Sequence, residues 1–290
     1  MSTQITTAFV EQYSANVQML SQQMGSKLRS AVDVESITGK NAFFEQVGVT
    51  AAQKRTSRHS DTPQIDTPHA RRRVSLEDYV WADLIDDVDK VRMLIDPTSS
   101  YAKAAAAAMN RSIDDVIITA MNGTAYTGVA GGTSTSLPSA SKFATSDQSD
   151  GLTIAKLLAA KKRFDLQDVD PSIPRYIVCG PTQISDLLAT TEIKSSDYNT
   201  VKALAQGDLD SFLGFKFITS TRLNLDSTNT DDRLCFAFTQ DAIKLAIGKD
   251  IQAKIDERSD KNYSTQVYYS MSVGATRMEE VKVFQIPCNE

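Results

Sequence analysis

The sequence predicts an α+β protein with a long polar hairpin projecting from its body. An alanine-rich pattern over residues 97–122 is typical of one long helix. Two strand-like stretches bracket the polar segment 51–69, as the arms of a hairpin would. The last forty residues alternate apolar and polar side chains, which is typical of strands.

The composition bounds the class of protein before any motif is considered. The chain has 290 residues, of which 41% are hydrophobic and 23% charged, as in an ordinary globular protein. Its net charge of −5 argues against a surface that coats nucleic acid, although a local basic patch is still possible. No apolar run is long enough to span a membrane, and the first thirty residues lack the pattern of a secretory signal.

The cysteines and histidines predict neither a metal site nor a cofactor. Cys179, Cys235 and Cys288 are far apart and lack the C-x-x-C spacing of metal ligands. His59 and His69 lie in the polar hairpin segment, away from the cysteines. We therefore expect buried, reduced thiols and no zinc.

The N-terminal thirty residues predict an amphipathic helix, because apolar residues recur every three or four positions. These residues are Phe9, Tyr13, Val17, Leu20, Met24 and Leu28. Such a stripe must be covered by the body of the protein, a neighbouring subunit or another partner. The sequence leaves these three possibilities open.

Residues 42–80 predict the hairpin itself. One arm is NAFFEQVGV and the other is ARRRVSLEDYVWADL. Arms of about fifteen residues would reach roughly 50 Å. Since an isolated two-stranded ribbon is marginally stable in water, we expect this hairpin to lie on another surface.

The long helix over residues 97–122 has clear limits. Asp96 and Pro97 supply a cap and a first-turn proline, and Gly123 ends the pattern. The stripe expected to be buried consists of Ala102, Ala106, Met109, Ile113, Val116 with Ile117, and Ala120.

The Gly/Ser/Thr-rich residues 124–151 mark an internal boundary, after which helices and strands mix. Helices are predicted for LTIAKLLAAKKRFDL, PTQISDLLAT and NTVKALAQG. Short strands are predicted for RYIVCG, FKFITS and LCFAFT, and three further strands for the last forty residues.

Motifs of catalysis are missing from the sequence. It contains no G-x-S-x-G, H-E-x-x-H or G-x-x-x-x-G-K-[ST], and GVAGG lacks the lysine of a phosphate loop. Carboxylate pairs such as Asp114–Asp115 are adjacent, so their side chains diverge on a helix. We therefore predict that the protein is not an enzyme.

Charge segregation is the strongest remaining signal. The basic residues are Lys54, Arg55, Arg58, Arg71, Arg72 and Arg73, and the acidic run that follows contains Glu77, Asp78, Asp83, Asp86, Asp87 and Asp89. Both runs could simply be solvated. Nucleic-acid binding would call for interleaved aromatic residues, which the basic segment lacks. Assembly needs only that the basic ribbon of one subunit lies over an acidic strip of the next.

The order of these elements resembles the major capsid proteins of tailed bacteriophages, which share the Hong Kong 97-type fold. Two stretches carry the local likeness: GDLDSFLGFKFITSTRLN at 207–224 and QYSANVQMLSQQMGSKLR at 12–29, the latter similar to the opening of short-tailed phage capsid proteins. The resemblance implies an N-terminal arm at 1–41, an extended hairpin loop at 42–80, a peripheral domain with a spine helix at 81–124 and 251–290, and an axial domain at 125–250.

The resemblance also implies a function. The subunits would form hexamers and pentamers that close into an icosahedral shell enclosing double-stranded DNA, without sequence-specific binding. Assembly in the host cytoplasm would use a separate scaffolding protein, and decoration and portal proteins are further candidate partners. The subunit interface would contain Lys54, Arg55, Arg58, Arg71, Arg72, Arg73, Asp83, Asp86, Asp87, Asp89, Asp114 and Asp115. No motif fixes a cross-linking partner for Lys54.

Two other hypotheses remain. An α/β enzyme or nucleotide-binding protein could centre on residues 150–250, where RYIVCGPTQISDLL places a turn before a helix N-terminus. A different phage structural protein, such as a decoration component, fits the long mixed chain less well.

Overall fold

A computed structural model of the chain describes residues 21–59, 61–86, 98–143, 151–189, 211–227, 229 and 231–290. In this part the protein is α+β, as the sequence predicted, with three helices of more than one turn. These helices are α1 (Thr98–Asn122), α2 (Ile154–Leu166) and α3 (Pro181–Ala189).

The strands of the described residues form three sheets. The first has the order β1-β11-β12-β4, with β1 at Asp33–Ser36, β4 at Glu77–Ile85, β11 at Ile243–Arg258 and β12 at Ser264–Arg277. The second has the order β13-β10-β7-β9-β8. In it, β13 is Val283–Asn289, β10 is Asp232–Thr239, β7 is Arg175–Cys179, β9 is Phe215–Thr219 and β8 is Ser211–Phe212. The third has the order β2-β3-β5-β6. In it, β2 is Asn41–Val47, β3 is His69–Ser75, β5 is Ala125–Thr127 and β6 is Thr133–Thr135.

The chain divides into two compact units. The smaller one draws on residues 1–26, 78–112 and 249–272. The larger one draws on residues 27–77, 113–248 and 273–290. In the larger unit, β10 pairs with both β7 and β13 and is buried along almost its whole length, so the core of this unit lies there.

Helix α2 packs on the five-stranded sheet of the larger unit. Thr153 caps the helix by accepting a hydrogen bond from the Lys156 backbone N–H. The ring of Phe164 lies 6.0 Å from that of Phe215 on β9, centroid to centroid. The Lys156 ammonium is buried and donates to the Pro287 carbonyl at 3.0 Å, so the helix is tied to β13 as well.

The hairpin of β2 and β3 exists but is shorter than the sequence predicted. The two strands pair antiparallel from Asn41 opposite Ser75 to Val47 opposite His69. Leu76 donates its backbone N–H to the Lys40 carbonyl at 2.9 Å, and β4 then begins in a different sheet. The prediction of fifteen-residue arms was therefore wrong, because the second arm divides into two strands at Leu76.

The predicted N-terminal helix is absent from the part that the structure describes. Residues 1–20 lie outside the described residues, and residues 21–28 are irregular. The backbone N–H groups of Lys27 and Leu28 donate to the Asp114 carboxylate instead of to helical carbonyls, each at 3.1 Å. This anchor buries Leu28, whereas Met24 is half exposed, so the expected continuous stripe does not form here.

Helix α1 confirms the predicted long helix, while its cap at Asp96 and Pro97 lies outside the described residues. In the second half of the predicted stripe, Met109, Ile113 and Ile117 are buried, whereas Val116 and Ala120 are only partly buried. In the first half, Ala105 and Ala107 are buried instead of the predicted Ala102 and Ala106. The helix predicted for NTVKALAQG lies outside the described residues, whereas the other predicted elements after residue 151 are present.

Candidate assembly surface

The arginine triplet sits on β3, where alternation sends its members to opposite faces of the sheet. Arg71 lies opposite Glu45 on β2 and forms a salt bridge with it at 2.7 Å. Both side chains are about half exposed, so this pair contributes less than about 1 kcal/mol to stability. Arg71 is therefore a surface residue of the hairpin.

Arg72 points to the buried face and belongs to the interior of the larger unit. Its Nη2 donates to Glu280 Oε2 at 2.7 Å, and its Nε donates to Gln46 Oε1 at 3.3 Å. The arginine side chain is only 8% exposed. Because the Arg72 side chain is buried within its own subunit, the interface proposed below omits it.

Arg277 shares Glu280 with Arg72, which makes a buried cluster of two guanidinium groups and one carboxylate. The Arg277 Nη1 donates to the carbonyls of Met121 at 3.0 Å and Gly123 at 2.8 Å, just where α1 ends. Burial lowers the pKa of Arg277, and the charge of Glu280 opposes that shift. A cation at this position satisfies carbonyls that the helix end leaves without partners.

Arg73 is packed against the neighbouring strand. Its guanidinium lies 4.8 Å from the centroid of the Tyr126 ring on β5, a cation–π contact. A Cβ on Gly131 would come within 2.7 Å of the Arg73 side chain, so the turn between β5 and β6 needs glycine there. Arg73 thus holds the third sheet together, and only part of its side chain reaches solvent.

The segment from Gly48 to Pro68, which we call the basic loop, is the exposed part of the hairpin. Its base is closed by the hydrogen bond from Gly48 N–H to the Pro68 carbonyl at 2.8 Å. Lys54, Arg55 and Arg58 all lie in this loop and are exposed. Arg55 donates to the Ser57 carbonyl within the loop at 2.8 Å, and within the described residues none of the three packs against the rest of the subunit.

The predicted acidic residues are also divided by the structure. Asp83 on β4 is half-buried and Asp86 is exposed, whereas Asp87 and Asp89 lie outside the described residues. Asp114 is fully buried and accepts the two backbone hydrogen bonds from Lys27 and Leu28. Like Arg72, it has no surface to present to a neighbour and is omitted from the proposed interface.

Asp115, next to Asp114, is partly exposed and forms a bidentate pair with Arg222. The pKa of Arg222 is raised, chiefly by its hydrogen bond to Asp115. No sequence pattern pointed to the partners Arg222, Glu280 or Glu45, because each is far along the chain from the residue that it pairs with. The isolated Arg277 in an otherwise uncharged strand was the one signal that could have revealed the buried cluster.

The three thiols lie close together on neighbouring strands of the second sheet, where all three are buried and free, as the sequence predicted. The register of β7 and β10 places Cys179 beside Cys235, and β13 brings Cys288 to the same region. Burial raises the pKa of Cys179 to about 12. The pKa of Cys235 is raised too, first by its hydrogen bond to Cys288 and then by burial. Thiols of this kind are unreactive.

The turn before α3 was the best sequence feature of the enzyme hypothesis. In the structure Arg233 lies beside this turn, which the sequence alone could not show. A Cβ added to Gly180 would be 3.3 Å from the Arg233 Cδ. Its guanidinium is paired with Glu290, and that hydrogen bond is the main reason that the pKa of Arg233 is raised. Because the carboxylate neutralises the arginine, the turn is a poor site for a phosphate.

The described residues show no cluster of ligands for a metal and no helix able to cross a membrane. Groups of three or more His, Cys, Asp or Glu side chains with metal-binding geometry are not found among them. None of the helices in these ranges is both long and apolar enough to span a bilayer.

Solved phage capsid structures are similar to this chain over nearly its full length. The capsid of cyanophage P-SCSP1u has a TM-score of 0.75 at 17% identity, covering 99% of this chain and 94% of that one. The capsid of Ralstonia phage GP4 has a TM-score of 0.74 at 12% identity, covering 97% and 95%. A structure of Mycobacterium phage Che8 has a TM-score of 0.72 at 16% identity, covering 96% and 97%. The fold is that of phage capsid proteins.

The sequence establishes the family. The family model described as phage capsid protein matches residues 5–290. A comparison with curated proteins gives no match. The chain belongs to the phage capsid protein family, and the prediction of a phage major capsid protein is confirmed. It is a structural protein of the virion, and the family does not favour the enzyme hypothesis.

Proposed function

We propose that the chain assembles into hexamers and pentamers that close into an icosahedral shell around double-stranded DNA. The observation that carries this proposal is the basic loop. The subunit fixes the base of the hairpin with its own ion pairs, yet it leaves Lys54, Arg55 and Arg58 exposed at the end. A charged loop held on a rigid base is suited to contact another subunit.

The resemblance to Hong Kong 97-type capsid proteins supports an assignment of parts. Residues 42–80 would be the extended loop, with α1 as the spine helix of the peripheral domain. That domain would comprise residues 81–124 and 251–290. Residues 125–250 would form the axial domain, and residues 1–41 the N-terminal arm.

The basic loop would meet acidic residues of the adjacent subunit. Asp83 and Asp86 on or after β4 are the described candidates, and Asp87 and Asp89 follow from the sequence. Arg71, Arg73 and Asp115 would lie at the margin of the contact, since each already has a partner within its own chain. Complementary charges of this kind set orientation and register more than affinity.

The remaining partners follow from the net charge and the family. A chain with net charge −5 would contain DNA without gripping it in a sequence-specific way. A separate scaffolding protein would guide assembly in the host cytoplasm, and portal and decoration proteins would join the shell.

The test is a charge reversal confined to the basic loop. The triple variant Lys54→Glu, Arg55→Glu and Arg58→Glu should fold normally but give few or no shells by sedimentation and negative-stain microscopy. A matched control reverses Lys142, Lys161 and Lys162, which are at least partly exposed and lie outside the loop. Shells of normal size and yield from the loop variant would contradict the proposed contact.

The acidic side of the contact can be tested by compensation. Reversing Asp83 and Asp86 to lysine should impair assembly in the otherwise unsubstituted chain and restore part of it in the loop variant. Normal shells formed by the purified chain alone would argue against a separate scaffolding protein.

A further inference from the structure

The outer half of β11 is an exposed strand edge. Strand β1 pairs with β11 only from Lys244 to Ile247, and no described strand continues along that side. From Gly248 to Glu257 nearly every residue is exposed, on both faces of the strand. In contrast, β12 is buried through most of its length. Open edges of this length are places where another strand pairs.

The backbone groups of this edge can be identified. The Ile247 carbonyl accepts from the Ile37 N–H at 3.0 Å, so Ile247 directs its backbone toward the β1 side. Alternate residues point the same way, which assigns Lys249, Ile251, Ala253, Ile255 and Glu257 to the open edge. The Ile251 N–H agrees with this assignment, because it donates to the side chain of its neighbour Asp250 at 2.9 Å.

The side chains of the same five residues form an apolar stripe with a charge at each end. Along the strand the order is Lys249, Ile251, Ala253, Ile255 and Glu257. A strand with this alternation normally covers its apolar face, yet Ile255 is 49% exposed in the subunit. The pattern indicates that another chain covers the stripe.

We propose that this edge pairs antiparallel with the same edge of a second copy of the chain, across a two-fold axis at Ala253. Turned by 180°, the stripe is complementary to itself. Each Ile251 then faces an Ile255, and each Lys249 faces a Glu257 of the other copy. Cross-strand pairs of these types stabilise a sheet, and a two-fold interface uses one surface twice.

The opposite face of the strand is compatible with this pairing. It places Asp250 across from Asp256, a like-charge pair, but Lys254 of the other copy lies diagonally beside Asp250. Lys249 already donates one hydrogen bond to Ser270 Oγ at 2.8 Å, which leaves its other two N–H groups for a carboxylate. Pairing in the parallel sense would instead align each residue with its own like charge.

This inference rests on the proposed function, because the icosahedral shell supplies the two-fold axes. It deepens that function by naming a contact separate from the basic loop. The two contacts lie at opposite edges of one sheet, since the strand order is β1-β11-β12-β4 and the acidic residues lie on or after β4.

The first test is a charge swap. Lys249→Glu alone, or Glu257→Lys alone, should weaken the joining of subunits roughly tenfold, because two like-charge pairs replace two attractive ones. The double variant should restore the original yield of shells, since it exchanges the two charges and keeps every cross-strand pair attractive. Failure of the double variant to restore assembly would overturn pairing of this edge with itself.

The second test is a cross-link in assembled particles. Ala253→Cys should give a disulfide-linked dimer in high yield on mild oxidation, because the two Ala253 residues face each other. Lys254→Cys is the control and should give little dimer. The native thiols do not interfere, since Cys179, Cys235 and Cys288 are buried.

The outcomes separate this inference from the proposed function. If the Ala253→Cys variant forms normal shells but no disulfide-linked dimer, the strand pairing is overturned. The proposed function, assembly into a shell, is not affected by that result. A cross-link that forms only when Val49→Cys is added would assign the edge to the basic loop of a neighbour instead, since Val49 is 97% exposed. An unsubstituted chain that forms no capsomers or shells, even in infected cells, would overturn the proposed function itself.

Discussion

The two basic clusters of this protein have similar composition but different surroundings. Arg71–Arg73 lie on β3, where cross-strand neighbours hold all three side chains. Lys54, Arg55 and Arg58 lie in a loop and remain exposed. A run of arginines in a strand is divided between two faces, whereas a loop imposes no such division. Basic residues close in sequence can therefore stabilise the fold in one case and stay on the surface in the other.

The largest effect on stability should come from Arg277. Arg277→Met leaves the Glu280 carboxylate and several helix-end carbonyls buried without this partner. We expect a loss of about 3–5 kcal/mol in the free energy of unfolding, measured by urea denaturation of the subunit. Arg258→Met, which breaks an exposed pair with Asp260, is the control and should leave the urea midpoint almost unchanged.

The comparison within the triplet comes next. Arg72→Met should destabilise the subunit by about 1–3 kcal/mol, because it leaves the partly buried Gln46 oxygen without this donor and Glu280 with Arg277 alone. Arg71→Met should have an effect below about 1 kcal/mol, since its pair with Glu45 is half exposed. Equal urea midpoints for the two variants would refute the division of the triplet into a buried and a surface residue.

Substitutions in the basic loop should change the salt dependence of assembly more than they change the urea midpoint of the subunit. Surface charges are screened beyond about 10 Å at 0.1 M salt, so raising the salt concentration should slow assembly of the unsubstituted chain. A variant with Lys54, Arg55 and Arg58 neutralised to glutamine should have lost most of this salt response while keeping the original urea midpoint. Light scattering follows assembly, and a salt response unchanged by the neutralisation would exclude the loop as its source.

The smallest effect concerns Asp260 at the tip of the hairpin between β11 and β12. Its hydrogen bond to Arg258 lowers the pKa of Asp260 from 3.8 to about 2. A carboxyl group whose pKa is lowered by folding stabilises the folded state at pH values above its pKa in the unfolded chain. This stabilisation is lost as the pH falls from 3.8 to about 2. Asp260→Asn should therefore differ slightly from the unsubstituted chain near neutral pH and converge with it once the carboxyl is protonated in both states. Urea midpoints measured across that range would show this, and an unchanged difference would contradict the assignment.

The elements with strong local patterns were predictable from the sequence. The alanine-rich stretch predicted α1 because intrinsic propensity and the closing Gly123 act locally. The apolar runs predicted β7 and β10, and the alternation near the end predicted β12 and β13. The hairpin was found, but its second arm was too long, because no local signal marks the change of sheet at Leu76.

The candidate site was predictable only in part. The sequence identified the basic and acidic segments, and within the described residues the structure leaves Lys54, Arg55, Arg58 and Asp86 exposed. It could not show that Arg72 and Asp114 are buried, since their partners are Glu280 and the backbone of Leu28. Such pairings depend on residues far apart in the chain.

By itself, the sequence determined the α+β class, the long helix, the buried thiols and membership of the phage capsid protein family. Only the tertiary structure decided which charges face inward and which strand edge stays open. The physical reason is that propensity and alternation act over a few residues, whereas burial and pairing depend on the whole fold. The arginine triplet and the open edge of β11 are both consequences of that difference.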